Sequence, residues 1–388
     1  CRMSKKFKNY DIVMEYAKSI VEGRKVACKE TIQMCERFFR DLENPKYVFN
    51  PKDAEFVIQI IEKTFVHQKG EDMQGRPLRG LPFLLEPWQK FVVYSLLGFF
   101  HKGTKLRKYK EAFIMLPRKQ GKTPFSSGLG WGLGLLERAS GAEIVIVGNQ
   151  LKQALQSFDF LLYNLKNMGE ADNFRILNNN QERSISGDLG DGYLRIEALA
   201  GNSDRMDSLN TLIQILDELH LYKNASQYNT IRESGKAYRN SLCIGITTAG
   251  DNPNSFAYNR MKYCQKVLNQ TVEDEQLFIF IAKADEDENG DVDYTNPIEH
   301  EKANPNYNVS VSAQELLNDA IEAQNDPQQR KSFLAKSLNV YTSAMKAYFN
   351  IEEFKSSNEK AEKVLKLEGL SLDEKLQRLA KLPIYWYG

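Results

Sequence analysis

The sequence predicts an α/β protein with a mostly parallel central sheet flanked by helices, and three observations carry that expectation. Apolar runs recur at 112–116, 144–148, 193–199, 212–216, 242–247 and 277–282, several separated by stretches long enough for crossover helices. The first run leads into Leu116-Pro117-Arg118-Lys119-Gln120-Gly121-Lys122-Thr123, followed by a segment able to form a helix, which is where a phosphate-binding loop belongs. The fourth run ends directly in Asp217-Glu218, two adjacent carboxylates at the tip of a buried strand.

In chain order, Tyr10 to about Val66 shows apolar residues at helical spacing, as in Val13, Tyr16 and Ile20, then Val57, Ile60, Ile61 and Phe65, with Asn-Pro breaks at 44–45 and 50–51. A polar, glycine-containing loop spans Gln68 to Gly80, and Pro87-Trp88-Gln89 opens an apolar helix reaching Phe100. Lys102 to Lys110 holds five basic residues and reads as a solvated loop. The acidic stretch 283–297 imitates the start of a calcium loop, but Asn296 stands where its bidentate Glu is required, so a solvated loop or hairpin is expected. Beyond Pro305 the sequence predicts helices at 312–324, 328–339 and 371–381. The expected organisation is a helical N-terminal segment (1–80), a nucleotide-binding core (81–305) and a helical lid or linker (306–388).

Composition sets limits. The 388 residues are 42% hydrophobic, ample for a large core. A formal charge of +1 excludes a global basic field of the kind that coats nucleic acid, while leaving local phosphate-binding patches open. The longest apolar run, Phe91 to Phe100, is too short to cross a bilayer, and no secretory layout precedes it, so a cytoplasmic protein without membrane contact is expected. Cysteines at 1, 28, 35, 243 and 264 lack zinc-site spacing, which suggests a reduced compartment and no structural metal.

The chemistry of the two motifs is complementary. Gln120, Gly121, Lys122 and Thr123 suit phosphate binding: backbone N–H groups face phosphate oxygens, Lys122 reaches the β- and γ-phosphates, and the Thr123 hydroxyl ligates Mg²⁺. Asp217 is placed to hold that Mg²⁺ through its water shell, and Glu218 to polarise an attacking water as general base. Each motif alone has a bland alternative, since Leu116 replaces the usual first glycine and Asp217-Glu218 fits a helix cap. Together, and in this order, they point to ATP hydrolysis with Mg²⁺.

On these residues the chain resembles the ATPase portion of tailed-phage terminase large subunits, the motors that drive DNA into proheads. The family carries an arginine-bearing, glycine-poor phosphate loop, so the resemblance implies that Arg118 touches the γ-phosphate. Leu85-Glu86-Pro87-Trp88-Gln89 is similar to the family's adenine-recognising segment, with Trp88 fitting either base stacking or a core anchor, and Asn149 to Ala154 also match. Thr247-Thr248-Ala249-Gly250 resembles the motif that couples hydrolysis to motion; a plain strand-to-loop turn is the alternative. Arg205 stands where the family supplies a catalytic arginine to a neighbouring subunit, although an ion pair to Asp204 or Asp207 serves equally well.

The resemblance implies the additional-strand, catalytic-glutamate class of P-loop NTPase. It further implies double-stranded DNA gripped by its backbone, a portal protein, a small terminase subunit, a working homo-oligomeric ring, and residence in the infected bacterial cytoplasm and transiently at the prohead portal. Full-length members continue into a two-metal endonuclease, and no DNA cleavage is expected from these 388 residues. A cellular helicase or translocase ATPase and a nucleotide-gated capsid-docking module with negligible turnover are the rival readings.

Overall fold

All six apolar runs become strands of one sheet in the computed structural model, which describes residues 6–201, 208–222 and 224–342. The chain opens with helices α1 (Tyr10–Val21) and α2 (Lys29–Glu43), strand β1 (Tyr47–Phe49), helix α3 (Lys52–Thr64), helix α4 (Pro87–Gly98) and strand β2 (Phe99–His101). The core follows as β3 (Glu111–Met115), α5 (Lys122–Glu137), β4 (Ala142–Gly148), α6 (Leu151–Asn167), β5 (Arg175–Asn178), β6 (Arg183–Asp188), β7 (Tyr193–Ala200) and β8 (Ile213–Asp217). It ends with α7 (Ala225–Glu233), β9 (Leu242–Thr247), α8 (Phe256–Leu268) and β10 (Leu277–Ile281), before α9 (Pro297–Ala303), α10 (Ala313–Asn325) and α11 (Pro327–Lys336).

The eight-stranded sheet has the order β10-β3-β9-β8-β4-β7-β6-β5; the first six strands are parallel, and β6 and β5 extend the edge antiparallel. Strand β9 lies between β3, which feeds the phosphate loop, and β8, which carries Asp217. This inserted strand is the structural mark of the additional-strand class. The sequence reading missed the β5–β6 hairpin because Arg-Ile-Leu-Asn and Arg-Ser-Ile-Ser-Gly-Asp contain no apolar run.

Helix α5, behind the phosphate loop, is buried from Phe125 to Gly134, and its glycines explain how. A β-carbon at Gly132 would lie 2.8 Å from Val57 Cγ1 of α3, and one at Gly134 would lie 2.3 Å from Leu194 Cδ1 of β7. The helix is thus gripped on opposite sides by α3 and the sheet, at distances only glycine tolerates.

Three boundaries differ from the sequence reading. Helices α1 to α3 share one hydrophobic cluster with the sheet, from Val13 to Ala282, so residues before 80 form a layer of the core. A second cluster joins Ala284 and Ala303 to Val311, Leu316, Phe333 and Val340, so the lid's packing reaches back before 305. Helix α4 stops at Gly98 because Phe99 turns extended, pairs with β1 and packs against Phe38 and Phe49.

The basic run is likewise only partly solvated: Arg107 and Lys108 are buried, paired with Asp53 and Glu137 and with Asp41 respectively. In the acidic stretch Asn296 caps α9, its side chain accepting from Ile298 N. The expected helix at 371–381 lies outside the described residues. Among the described residues no helix is long and apolar enough to cross a membrane.

Candidate active site

The loop from Leu116 to Gly121 leaves the tip of β3 and reverses through two left-handed residues, Lys119 (φ 63°) and Gly121 (φ 71°), before α5 begins at Lys122. Pro124 sits in the first turn of α5, where a missing N–H breaks no helical hydrogen bond. The helix therefore presents its positive N-terminal end and free amides to the loop, which suits an anion.

Two carboxylates face that end. Asp217 closes β8 and is 7% exposed, and burial, with Glu218 adding repulsion, pushes its carboxyl up to about 6. Glu218 adopts a left-handed backbone (φ 54°), rare for a non-glycine residue and typical of functional strain. Burial works to raise the Glu218 carboxyl, yet the His220 ring and then Lys122 outweigh it and hold the group below its ordinary value. Lys122 Nζ stands 4.0 Å from Glu218 Oε1. Burial pushes the Lys122 ammonium below its usual range, with Glu218 and Asp217 opposing the shift.

The two threonines divide their contacts between these groups. Thr248 Oγ1 accepts a hydrogen bond from Lys122 Nζ and donates to the Leu116 carbonyl at 2.9 Å. Thr247 Oγ1 accepts from the His220 amide at 3.0 Å and lies 3.3 Å from His220 Nδ1. His220 Nδ1 is also 3.2 Å from Glu218 Oε2, a contact shared between two acceptors; Glu218 Oε2 has no well-aligned hydrogen-bond partner. His220 thus joins the carboxylate to the motif after β9. It escaped the sequence reading, although its place two residues after Glu218 was the available signal.

Of the other sequence-derived residues, Gln89 and Trp88 part company. Gln89 Oε1 accepts from Glu86 N at 2.8 Å in a capping box, and a side chain at Gly121 would approach its Nε2 at 3.9 Å, so Gln89 borders the loop. Trp88 takes the core-anchor alternative: it is 2% exposed, stacked on Phe280, edge-on to Phe125, and donates from Nε1 to Asn306 Oδ1 at 2.7 Å. Its faces leave no room for a base.

The Gln120 side chain is turned to the lid, donating to Asn304 Oδ1 at 2.8 Å and accepting from Asn306 N at 2.9 Å. An amide so engaged is not free for phosphate, which leaves Gln120 to act through its backbone. Arg118 and Lys119 line a cavity of about 240 Å³ between the loop and α10–α11, with Asn304, Leu316 and Phe333. Thr123, in the first turn of α5, is partly exposed. Arg205 lies outside the described residues.

The donor set fits a divalent cation with a polyphosphate: a buried carboxyl pushed toward neutrality, a second carboxylate with an unaligned buried oxygen, and an ammonium at a helix N-terminus. A second cluster, Cys28, Glu30 and Asp285, brings possible ligand atoms within 4.8 Å of one another. Cys28 caps the positive end of α2, and burial pushes its thiol up to about 12, so this cluster is poorly built for a cation.

Comparison with known proteins agrees with this geometry. Residues 87–266 match the family described as terminase large subunit, ATPase domain. That segment runs from α4 into α8 and contains the phosphate loop, Asp217-Glu218 and the threonine motif. In that segment the chain is similar to terminase large-subunit ATPase domains. Protein YmfN of Escherichia coli (strain K12) is 36% identical over 155 residues, 40% of this chain and 33% of that protein. The large terminase of bacteriophage HK97 shares the fold at a TM-score of 0.57 and 19% identity, covering 74% of this chain and 55% of that one. The chain therefore spans about a third of the curated relative it matches and about half of the HK97 protein.

Proposed function

We propose that this chain is the Mg²⁺-dependent ATPase part of a terminase that drives double-stranded DNA into a prohead. The observation that supports it best is the hydrogen bond from Lys122 to Thr248 with Glu218 Oε1 4.0 Å from the same ammonium, which gathers the groups that this reading assigns to phosphate binding, coupling and general-base work. The amides at the start of α5 and the Lys122 ammonium bind the phosphates. Asp217 and Thr123 would hold the cation, whose chemistry there would be to neutralise phosphoryl charge. Glu218, kept ionised by His220 and Lys122, orients the attacking water and accepts its proton.

Arg118 stabilises the γ-phosphate, and Arg205 acts on a neighbouring subunit of a homo-oligomeric ring. In this reading the ring works in the infected cell's cytoplasm and at the portal vertex, with a portal protein and a small terminase subunit as partners. It grips DNA by its phosphates without reading bases. A nuclease belongs to the longer parent.

The test is ATP turnover by the wild type beside Lys122→Ala and Glu218→Gln, over protein concentrations spanning self-association. Turnover that rises with concentration and is lost in both variants supports a ring ATPase. Binding of Mg-ATP without turnover at any concentration favours a docking module, and absence of binding defeats the phosphate-loop reading.

A further inference from the structure

The six residues from the end of α11, 336–341, touch three strand ends in succession. Lys336 O accepts from Arg118 N at 2.9 Å, at the phosphate loop beyond β3. Leu338 O accepts from Ala284 N at 2.9 Å, beyond β10. Asn339 Oδ1 accepts from Ala249 N at 2.8 Å, in the motif beyond β9, while its Nδ2 donates to the Ala282 carbonyl at 2.7 Å. Tyr341 packs edge-on against Tyr258 of α8 at 5.1 Å.

Asn339 is the fixed point of this segment. It is fully buried and left-handed (φ 58°), a backbone that asparagine tolerates better than most side chains. Both ends of its amide are used, one on each of two strand ends. Ala249 is the neighbour of Thr248, whose hydroxyl holds Lys122. Movement of Thr248 therefore either carries Asn339 with it or leaves a buried amide and carbonyl unpaired. On the lid side, Ser337 O accepts from Asn304 Nδ2 at 3.0 Å, and Asn304 in turn accepts from Gln120 of the loop.

We propose that residues 336–341 form a strap that reads the phosphate loop and the threonine motif together and passes their state to the lid, with Asn339 as its positioning residue. The inference rests on the ATPase reading above. Asn339→Gly keeps the left-handed backbone accessible and removes both amide bonds; Asn339→Asp keeps an acceptor for Ala249 N.

The full chain is assayed for ATP turnover, for Mg-ATP binding, and for amide hydrogen exchange in peptides covering 247–252 and 334–342 with and without Mg-AMP-PNP. In the wild type, nucleotide changes exchange in both peptides. Asn339→Gly lowers kcat on the order of ten- to hundredfold with KM nearly unchanged, and only the 247–252 peptide still responds. Asn339→Asp keeps the acceptor for Ala249 N but sets an oxygen against the Ala282 carbonyl, so its kcat lies between those of the glycine variant and the wild type; if the glycine variant does not fold, an aspartate variant below the wild type in kcat supports the strap and one equal to it overturns the strap. An active wild type with a glycine variant equal to it in kcat and exchange overturns the strap alone. A wild type that neither binds nor hydrolyses ATP overturns the ATPase reading and the strap with it.

Discussion

The Lys122 ammonium donates to the Thr248 hydroxyl, which itself donates to the Leu116 carbonyl, so one hydroxyl ties both ends of the phosphate loop to the end of the strand inserted between β3 and β8. A nucleotide that takes Lys122 for its phosphates must release Thr248, and that exchange gives the motif a reason to move. Removing the hydroxyl uncouples the two. Thr248→Val is expected to bind Mg-ATP about as well as the wild type, since Lys122 loses only a competing acceptor. Its turnover falls by roughly tenfold or more, because an interaction needed to shape the reacting site is gone. Steady-state kinetics with the binding constant measured separately distinguishes the two; a raised KM with unchanged kcat would contradict the assignment.

Glu218 and His220 give a second prediction. Glu218→Gln retains nucleotide binding and loses turnover by roughly 10²–10⁴-fold, the range for a general base. His220→Ala is milder, because His220 acts through the carboxylate and Thr247. Its turnover profile shifts toward higher pH at the acid limb: His220 is the first of the groups that lower the Glu218 carboxyl, and without it more alkaline conditions are needed to keep Glu218 ionised. A pH–kcat series on both proteins checks the direction.

Asp217 yields a prediction about stability. Its carboxyl, at about 6 in the folded chain against 3.8 ordinarily, makes the folded protein bind more protons between those values. Stability therefore falls as pH rises through this window, and the cost is complete above it. Asp217→Asn removes that cost, so without Mg²⁺ and nucleotide at about pH 7.5 it is expected to be more stable by roughly 3 kcal/mol. With saturating Mg-ATP the order reverses, since only the wild type gains from ligand binding. Thermal melts under the two conditions test both signs.

What was legible in the sequence follows from where each group gets its energy. Parallel strands buried on both faces read as unbroken apolar runs, so β3, β4, β7, β8, β9 and β10 were visible, and with them the loop and carboxylates at their tips. The β5–β6 hairpin draws on backbone pairing along an edge and carries no such run. The choice between the two readings of Trp88, and the turn of the Gln120 side chain toward the lid, were not legible for one reason: their partners, Phe280, Asn304 and Asn306, lie far along the chain, and only the fold brings them near. Asn339 was invisible in the same way, because a lone asparagine announces neither a left-handed backbone nor two buried hydrogen bonds.

The α3–α5 contact tests whether the N-terminal helices belong to the ATPase core. At Gly132 a methyl group would stand 2.8 Å from Val57 Cγ1 and 3.4 Å from the Val57 α-carbon. Valine in a helix has one strongly preferred rotamer, so it does not swing aside cheaply. Alanine improves helix propensity by about 1 kcal/mol, but overpacking a filled core costs about 1–3 kcal/mol. Gly132→Ala is therefore expected to be destabilising, by about 1 kcal/mol on balance. The double variant with Val57→Ala makes room for the methyl and should be more stable than additivity of the single changes allows. Urea unfolding of the four proteins gives the coupling directly: a favourable value means α3 clamps the phosphate-loop helix, whereas zero coupling would mean that the layer before residue 80 packs independently of it.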